Sequence, residues 1–184
     1  MEIQNNQAEA EDIGELIFDT LRKKFFADLD EDPYVRFEKA LKEINRELRN
    51  LRSQKKSQFI GNLHVIIAAV VDNNIFLTQC GDAEAYLVRR KFCSVISDDL
   101  SDPDAKDYFT NIANGSLEAD DFVLLSSTRL LRHISKSDFA RISASKSLVA
   151  TLGELRDFLS AEVLGKMGFI GLRMAFAAEL NNKE

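Results

Sequence analysis

Residues 63–71, LHVIIAAVV, restrict this chain more than any other stretch, because so dense a run of β-branched residues reads as a buried strand that needs neighbours. Asp72, Asn73 and Asn74 supply the turn residues that bring residues 75–80 back beside it. Gly81 and Asp82 then turn the chain into residues 83–89, and Arg90 with Lys91 turn it again into residues 92–96. The reading is a four-stranded antiparallel meander. Beyond the polar segment SDDLSDPDAKD, a surface loop, FTNIA and DFVLLSS read as two further strands joined by NGSLEAD.

Helical periods flank this β region. Ile13, Leu16, Ile17, Leu21 and Phe25 recur at spacings of three and four, predicting an amphipathic helix over 13–28. In DLDEDP the acids and proline end that helix and start the next, with Asp32 as cap and Pro33 in its first turn. The second helix, 33–52, places Phe37, Leu41, Ile44, Leu48 and Leu51 on one face. Leu130 with Leu131, then residues 139–142, then Leu148, Leu152, Leu155, Phe158 and Leu159 restore the helical period. The last apolar run, MGFIGLRMAFAAEL, fits a strand or a helix, and the strand is the preferred reading. The organisation expected is a flexible N-terminus over 1–12, one domain over 13–180 and a flexible C-terminus over 181–184.

Composition narrows the function classes. The 184 residues are 45% hydrophobic and 29% charged, the balance of a folded globular chain. A net charge of −6 provides no global field to hold a phosphate backbone, so nucleic-acid binding is not expected. The basic run RELRNLRSQKK closes the second helix, where cations complement exposed carbonyls. No apolar stretch reaches the roughly 18 residues of a membrane helix, and the acidic start MEIQNNQAEAED is unlike a targeting peptide. The expectation is a cytoplasmic protein. Cys80 and Cys93 have no metal or redox spacing and read as small core residues.

The stretch QCGDAEAYLVRR, with Gly81-Asp82 ahead of Ala85-Tyr86, followed by Gly115, Leu117, Asp120 and Asp121 before FVLLSS, resembles the metal-dependent protein phosphatases of the type 2C or PPM family. In that family a strand ending in V-G-D-S leads into R-A-Y, and G-x-L-x-x-G-D leads into a strand ending in S-D-G. The resemblance covers about 37–131. It implies an α/β/β/α sandwich of two antiparallel sheets with flanking helices, trimmed at its N-terminus, with the first two helices on one sheet and the helix over 148–159 on the other.

The same resemblance implies a chemistry whose residues are missing. The family holds two divalent ions on converging carboxylates, which activate a bridging water against a phosphoserine or phosphothreonine. Its D-G-x-G-G motif, between an early strand pair and the first helix, has no counterpart before Ile13. Thr128 and Arg129 stand where S-D-G has its acid and glycine, and Gly165-Lys166-Met167-Gly168 stands where an acid precedes the final strand. Gly81 and Asp82 are read as a structural turn, glycine accepting positive φ and the aspartate bonding nearby amides.

No catalytic residue, metal ligand or cofactor is therefore assigned, and Mg²⁺ or Mn²⁺ enters only if other acids serve. Those acids are Asp98, Asp99, Asp102, Asp104 and Asp107 in one loop and Glu118, Asp120 and Asp121 in another. His64 with Cys80 is a candidate thiol–imidazole pair, and His133 stands alone. Arg129 and Arg132 form a candidate anion site, since a guanidinium can bond two phosphate oxygens. The expected function is a pseudophosphatase that binds a protein partner, with a homo-oligomer left open. The alternative is an active phosphatase with unusual metal ligands.

Overall fold

The computed structural model describes residues 1–54, 60–102, 104–144, 147–162 and 167–175. The elements in chain order are β1 (Glu2–Gln4), α1 (Ala10–Phe25), α2 (Pro33–Gln54), β2 (Asn62–Val71), β3 (Asn74–Cys80), β4 (Glu84–Arg89), β5 (Phe92–Val95), β6 (Ala113–Ser116), β7 (Phe122–Ser126), α3 (Lys136–Ser143), α4 (Leu148–Glu162) and β8 (Phe169–Arg173). The final apolar run does form a strand.

Two four-stranded sheets result, ordered β1-β2-β3-β6 and β5-β4-β7-β8, with antiparallel pairing throughout. Ile13, Ile17, Phe37, Ile44 and Leu48 of α1 and α2 pack on Leu63, Val65 and Ile67 of the first sheet. Phe139, Ile142, Leu155 and Leu159 of α3 and α4 pack on Tyr86, Phe122 and Leu124 of the second. Ile75, Leu77, Ala85 and Val123 fill the space between the sheets. Four layers thus bury three apolar seams, because each sheet alternates its side chains between a helix face and the opposite sheet.

Helix starts follow their capping chemistry. The Asp32 carboxylate accepts the N–H groups of Tyr34 at 2.9 Å and Val35 at 3.3 Å ahead of Pro33, as its sequence context predicts. Ser135 accepts the N–H of Asp138 at the start of α3. The basic end of α2 is largely paired, Arg46 with Glu43 and Glu47 and Arg49 with Asp107, while Lys55 and Lys56 lie outside the described residues.

Three expectations are corrected. The first is the meander: β3 and β4 do not pair, and Gly81-Asp82 carries the chain from one sheet to the other. Strand β3 is buried along almost its whole length and already has β2 and β6 as neighbours, so β4 starts the second sheet instead. The second correction concerns 1–12, read as flexible. Ile3, the one aliphatic residue in EIQNN, is 3% exposed in the helix-side core, and Glu2–Gln4 pairs with residues 62–64 of β2. The third is the strand read at FTNIA, which falls on Ala113–Ser116. Phe109 is held in a loop because buried Asn45 accepts its N–H at 3.1 Å and donates to its carbonyl at 2.7 Å. The C-terminal stretch 181–184 lies outside the described residues.

Candidate functional site

One end of the sandwich gathers the strand termini on which a site could be built. The C-terminal ends of β1, β3 and β7 meet there with the N-terminal ends of β2, β4 and β8, as the pairings Gln4↔Asn62, Val65↔Cys80, Glu84↔Ser126 and Ser126↔Phe169 show. The Gly81-Asp82 crossing lies at this end. Gly81 has φ +70, and a Cβ there would stand 2.3 Å from the Leu63 carbonyl oxygen. The crossing is then tied on both sides. The Asp82 N–H donates to His64 Nδ1 at 2.9 Å, the Gly81 N–H to Ser101 Oγ at 3.3 Å, and Gln79 Nε2 to the Gly81 carbonyl at 2.9 Å.

The Asp82 N–H is held by His64, and its carboxylate, read from the sequence as bonding nearby amides, instead faces two cations. Arg129 Nε lies 3.2 Å from Asp82 Oδ1 and 3.8 Å from Glu84 Oε1, and Arg132 Nη1 lies 3.4 Å from Asp82 Oδ2. Glu84 also accepts the hydroxyl of Tyr86, whose oxygen in turn accepts the Leu130 N–H at 2.7 Å. Tyr86 is fully buried, and burial with the adjacent Glu84 pushes its hydroxyl pKa well above the usual range. This neutral hydroxyl links β4 to the turn after β7, the turn that carries Arg129. Together Gln79, Gly81, Asp82, Glu84, Asp99 and Arg129 border a cleft of about 380 Å³.

At the other described termini the acids Glu9 and Glu2 are each held by a polar neighbour. Between β1 and α1 the chain presents Asn5 and Asn6, and Asn6 donates to Glu9 at 2.7 Å and to the Ile60 carbonyl at 3.1 Å. Ser127 Oγ donates to Glu2 at 3.4 Å and accepts the Gly168 N–H at 3.1 Å, in an open cleft of about 990 Å³ that Met1, Gln4 and Met167 also line. Thr128 donates its N–H to Ser126 Oγ at 3.4 Å. Gly165 and Lys166 lie outside the described residues.

Most of the candidate acids are elsewhere. Asp98 and Asp99 border the Arg129 cleft, whereas Asp107 pairs with Arg49 and Asp102 caps the N–H of Asp104 at 3.0 Å. Glu118 pairs with Arg89 and Arg90, and Asp121, 1% exposed, takes both Nε and Nη2 of Arg89. Asp120 and Asp121 precede β7 and so stand at the end of the sandwich opposite Ser127. Among the described residues no group of three or more His, Cys, Asp or Glu side chains is placed to hold a metal ion.

The thiol–imidazole pair is also undone by geometry. Cys80 pairs with Val65, so strand alternation puts it on the helix face and His64 on the face toward the other sheet. His133 caps a short 3₁₀ turn through its N–H to the Leu130 carbonyl. The Cys80 thiol donates to the Leu63 carbonyl, and burial pushes its pKa from 9.0 up to about 11. Because the folded value is raised, the thiol's contribution is fully present below pH 9 and is lost as pH rises toward 11, a change of about 2–3 kcal/mol. Unfolding by urea from pH 8 to 11 should therefore show the stability gap between wild type and Cys80→Ala narrowing by that amount. A constant gap would reject the assignment.

No family model matches the chain, and no curated protein matches it in sequence. Solved structures do match. PppA, described as a key regulatory component of the type VI secretion system (T6SS) of Pseudomonas aeruginosa, superposes with a TM-score of 0.71 at 17% identity over 95% of this chain and 84% of its own. The Mycobacterium tuberculosis serine/threonine phosphatase PstP superposes at 0.73 with 13% identity, covering 92% and 84%. Stp1 from Staphylococcus aureus gives 0.72 with 15% identity, covering 88% and 77%. The chain has the PPM phosphatase fold.

PstP has been crystallised with two manganese ions. Among the described residues no three acids converge to hold such a pair. Asp82 and Glu84 already face Arg129, and Glu2 is engaged by Ser127. Four residues of this site were given no role by the sequence. Glu2 was hidden in a segment without periodicity, Ser127 in a plain SS dipeptide, and the Glu84–Tyr86 pair shows only as two polar groups spaced by two along a strand.

Proposed function

We propose that this chain is a degenerate PPM domain, a pseudophosphatase that works as a protein-binding or regulatory module in cytoplasmic signalling. The observation that carries the reading is the Arg129 guanidinium within 4 Å of both Asp82 and Glu84. A fixed side-chain cation there repels an incoming dication, and Mg²⁺ or Mn²⁺ leaves its water only for several converging oxygens. Regulatory use of this fold has a precedent in PppA, described as a regulatory component. The candidate anion site at Arg129 and Arg132 is the weaker reading, since the two cations share Asp82 and a phosphate would have to displace it.

The test is direct. With a phosphothreonine peptide or a generic aryl phosphate in millimolar Mn²⁺, no turnover above buffer is expected. Titration with Mn²⁺ should leave the melting temperature within about 1 °C, because a ligand bound only to the native state would raise stability by RT ln(1 + [L]/Kd). Turnover abolished by a chelator, or a stabilisation of several degrees at submillimolar Mn²⁺, would make the chain an active phosphatase with unusual ligands.

A further inference from the structure

Strand β1 covers only the first part of β2. Its three residues pair with residues 62–64, while residues 65–71 pair with β3 on one side and with no described strand on the other. Strand β8 is likewise the free edge of the second sheet. A solvated edge is usually protected by lysine, proline or a bulge, yet residues 65–71 read VIIAAVV, without a charge or a proline. The side chains that should close the gap between the sheets are also uncovered. Pairing of Ile170 with Leu125 and of Leu172 with Val123 turns both toward the inter-sheet core, but they are 69% and 36% exposed, and Val70 on the matching face of β2 is 41% exposed.

We infer that this open side of the sandwich receives an extended segment of another protein, added as a strand to the free edge of β2. The edge specifies the occupant. The edge of residues 65–71, which no described strand pairs, matches another extended backbone, so the segment is about seven residues long and spans about 23 Å. Sheets packed face to face lie about 10 Å apart, so the inward side chains of a strand continuing the line of β1 meet Ile170 and Leu172 and must be apolar at every second position. A net charge of −6 on each copy opposes pairing of two such edges with each other and favours a partner with basic flanks. The inference deepens the binding-module reading and rests on it only for the existence of a partner; the strand site and the metal response are measured separately, so either can fail alone.

The probe is the peptide acetyl-KVTVTVK-amide, titrated into the 184-residue protein while amide exchange is followed by NMR. Saturable binding below about 1 mM is expected, with residues 65–71 gaining protection at alternate amides. Ile170→Lys and Val70→Lys, both at exposed positions, should keep the melting temperature and weaken binding at least about tenfold. Phe92→Lys, exposed on the far strand β5, should change nothing. If the alternate amides are already protected without peptide, or no saturation is reached, the edge is not a docking site. If light scattering shows a dimer that Ile170→Lys dissociates, the occupant is a second copy and the inference is wrong.

Discussion

Gly81→Ala is expected to lower the stability of this domain by about 3–5 kcal/mol, enough to threaten folding when a whole domain holds only about 5–15 kcal/mol. Two costs add. Alanine at φ +70 is strained by about 1–2 kcal/mol, and its Cβ would meet the Leu63 carbonyl oxygen at 2.3 Å and His64 Nδ1 at 2.8 Å. The first of these is backbone of β2, where Leu63 pairs with Ile3 of β1, so no rotamer change relieves it. Moving the crossing away would break the bond from the Asp82 N–H to His64 and shift the Asp82 carboxylate from Arg129 and Arg132. For a chain of this length the melting temperature should fall by about 8–15 °C. Gly115→Ala is the control: nothing lies within 4 Å of a Cβ there, and an effect within about 0.5 kcal/mol is expected. Equal melting temperatures for wild type and Gly81→Ala would mean that the close crossing is not present.

The contrast between these two glycines shows what was legible in the sequence. Gly81 next to Asp82 signals a tight turn with positive φ, and that is correct, but a local motif cannot say whether the strands it joins pair with each other. The answer depends on β6 taking the second edge of β3, and β6 is ANGS, a segment with no strand pattern at all. Helices were legible because their periods are long and Asp32-Pro33 marks a start. Strand β1 was not, because three residues carry no period and only the burial of Ile3 reveals it. The site divides in the same way. Thr128 and Arg129 could be matched to an acid and a glycine by resemblance, whereas the contact between Arg129 and Asp82 joins residues 47 positions apart and exists only because β4 and β7 pair in the second sheet.

Asp121→Ala should cost about 2–4 kcal/mol, a large effect for a residue that sequence reading could offer as a spare metal ligand. Its carboxylate is 1% exposed and accepts three short bonds, from Arg89 Nε at 2.9 Å, Arg89 Nη2 at 2.6 Å and the Glu118 N–H at 2.6 Å. The paired geometry also raises the Arg89 pKa, chiefly through the hydrogen bonds from that guanidinium to Asp121. Removing the acid leaves the Glu118 N–H without its acceptor and loosens the turn into β7. Arg89 itself can still reach solvent, the Ser116 carbonyl and Glu118, which keeps the loss at the lower part of the range for broken buried pairs. Asp121→Asn preserves an acceptor and should cost less, about 1–2 kcal/mol. In a double-mutant cycle with Arg89→Met, a coupling of at least about 1 kcal/mol is expected, measured by urea unfolding. Since this carboxylate lies a whole strand away from Ser127, the melting response to Mn²⁺ should be the same in wild type and Asp121→Asn. A Mn²⁺ stabilisation that disappears in Asp121→Asn would instead place a metal on this acid and remove the structural assignment.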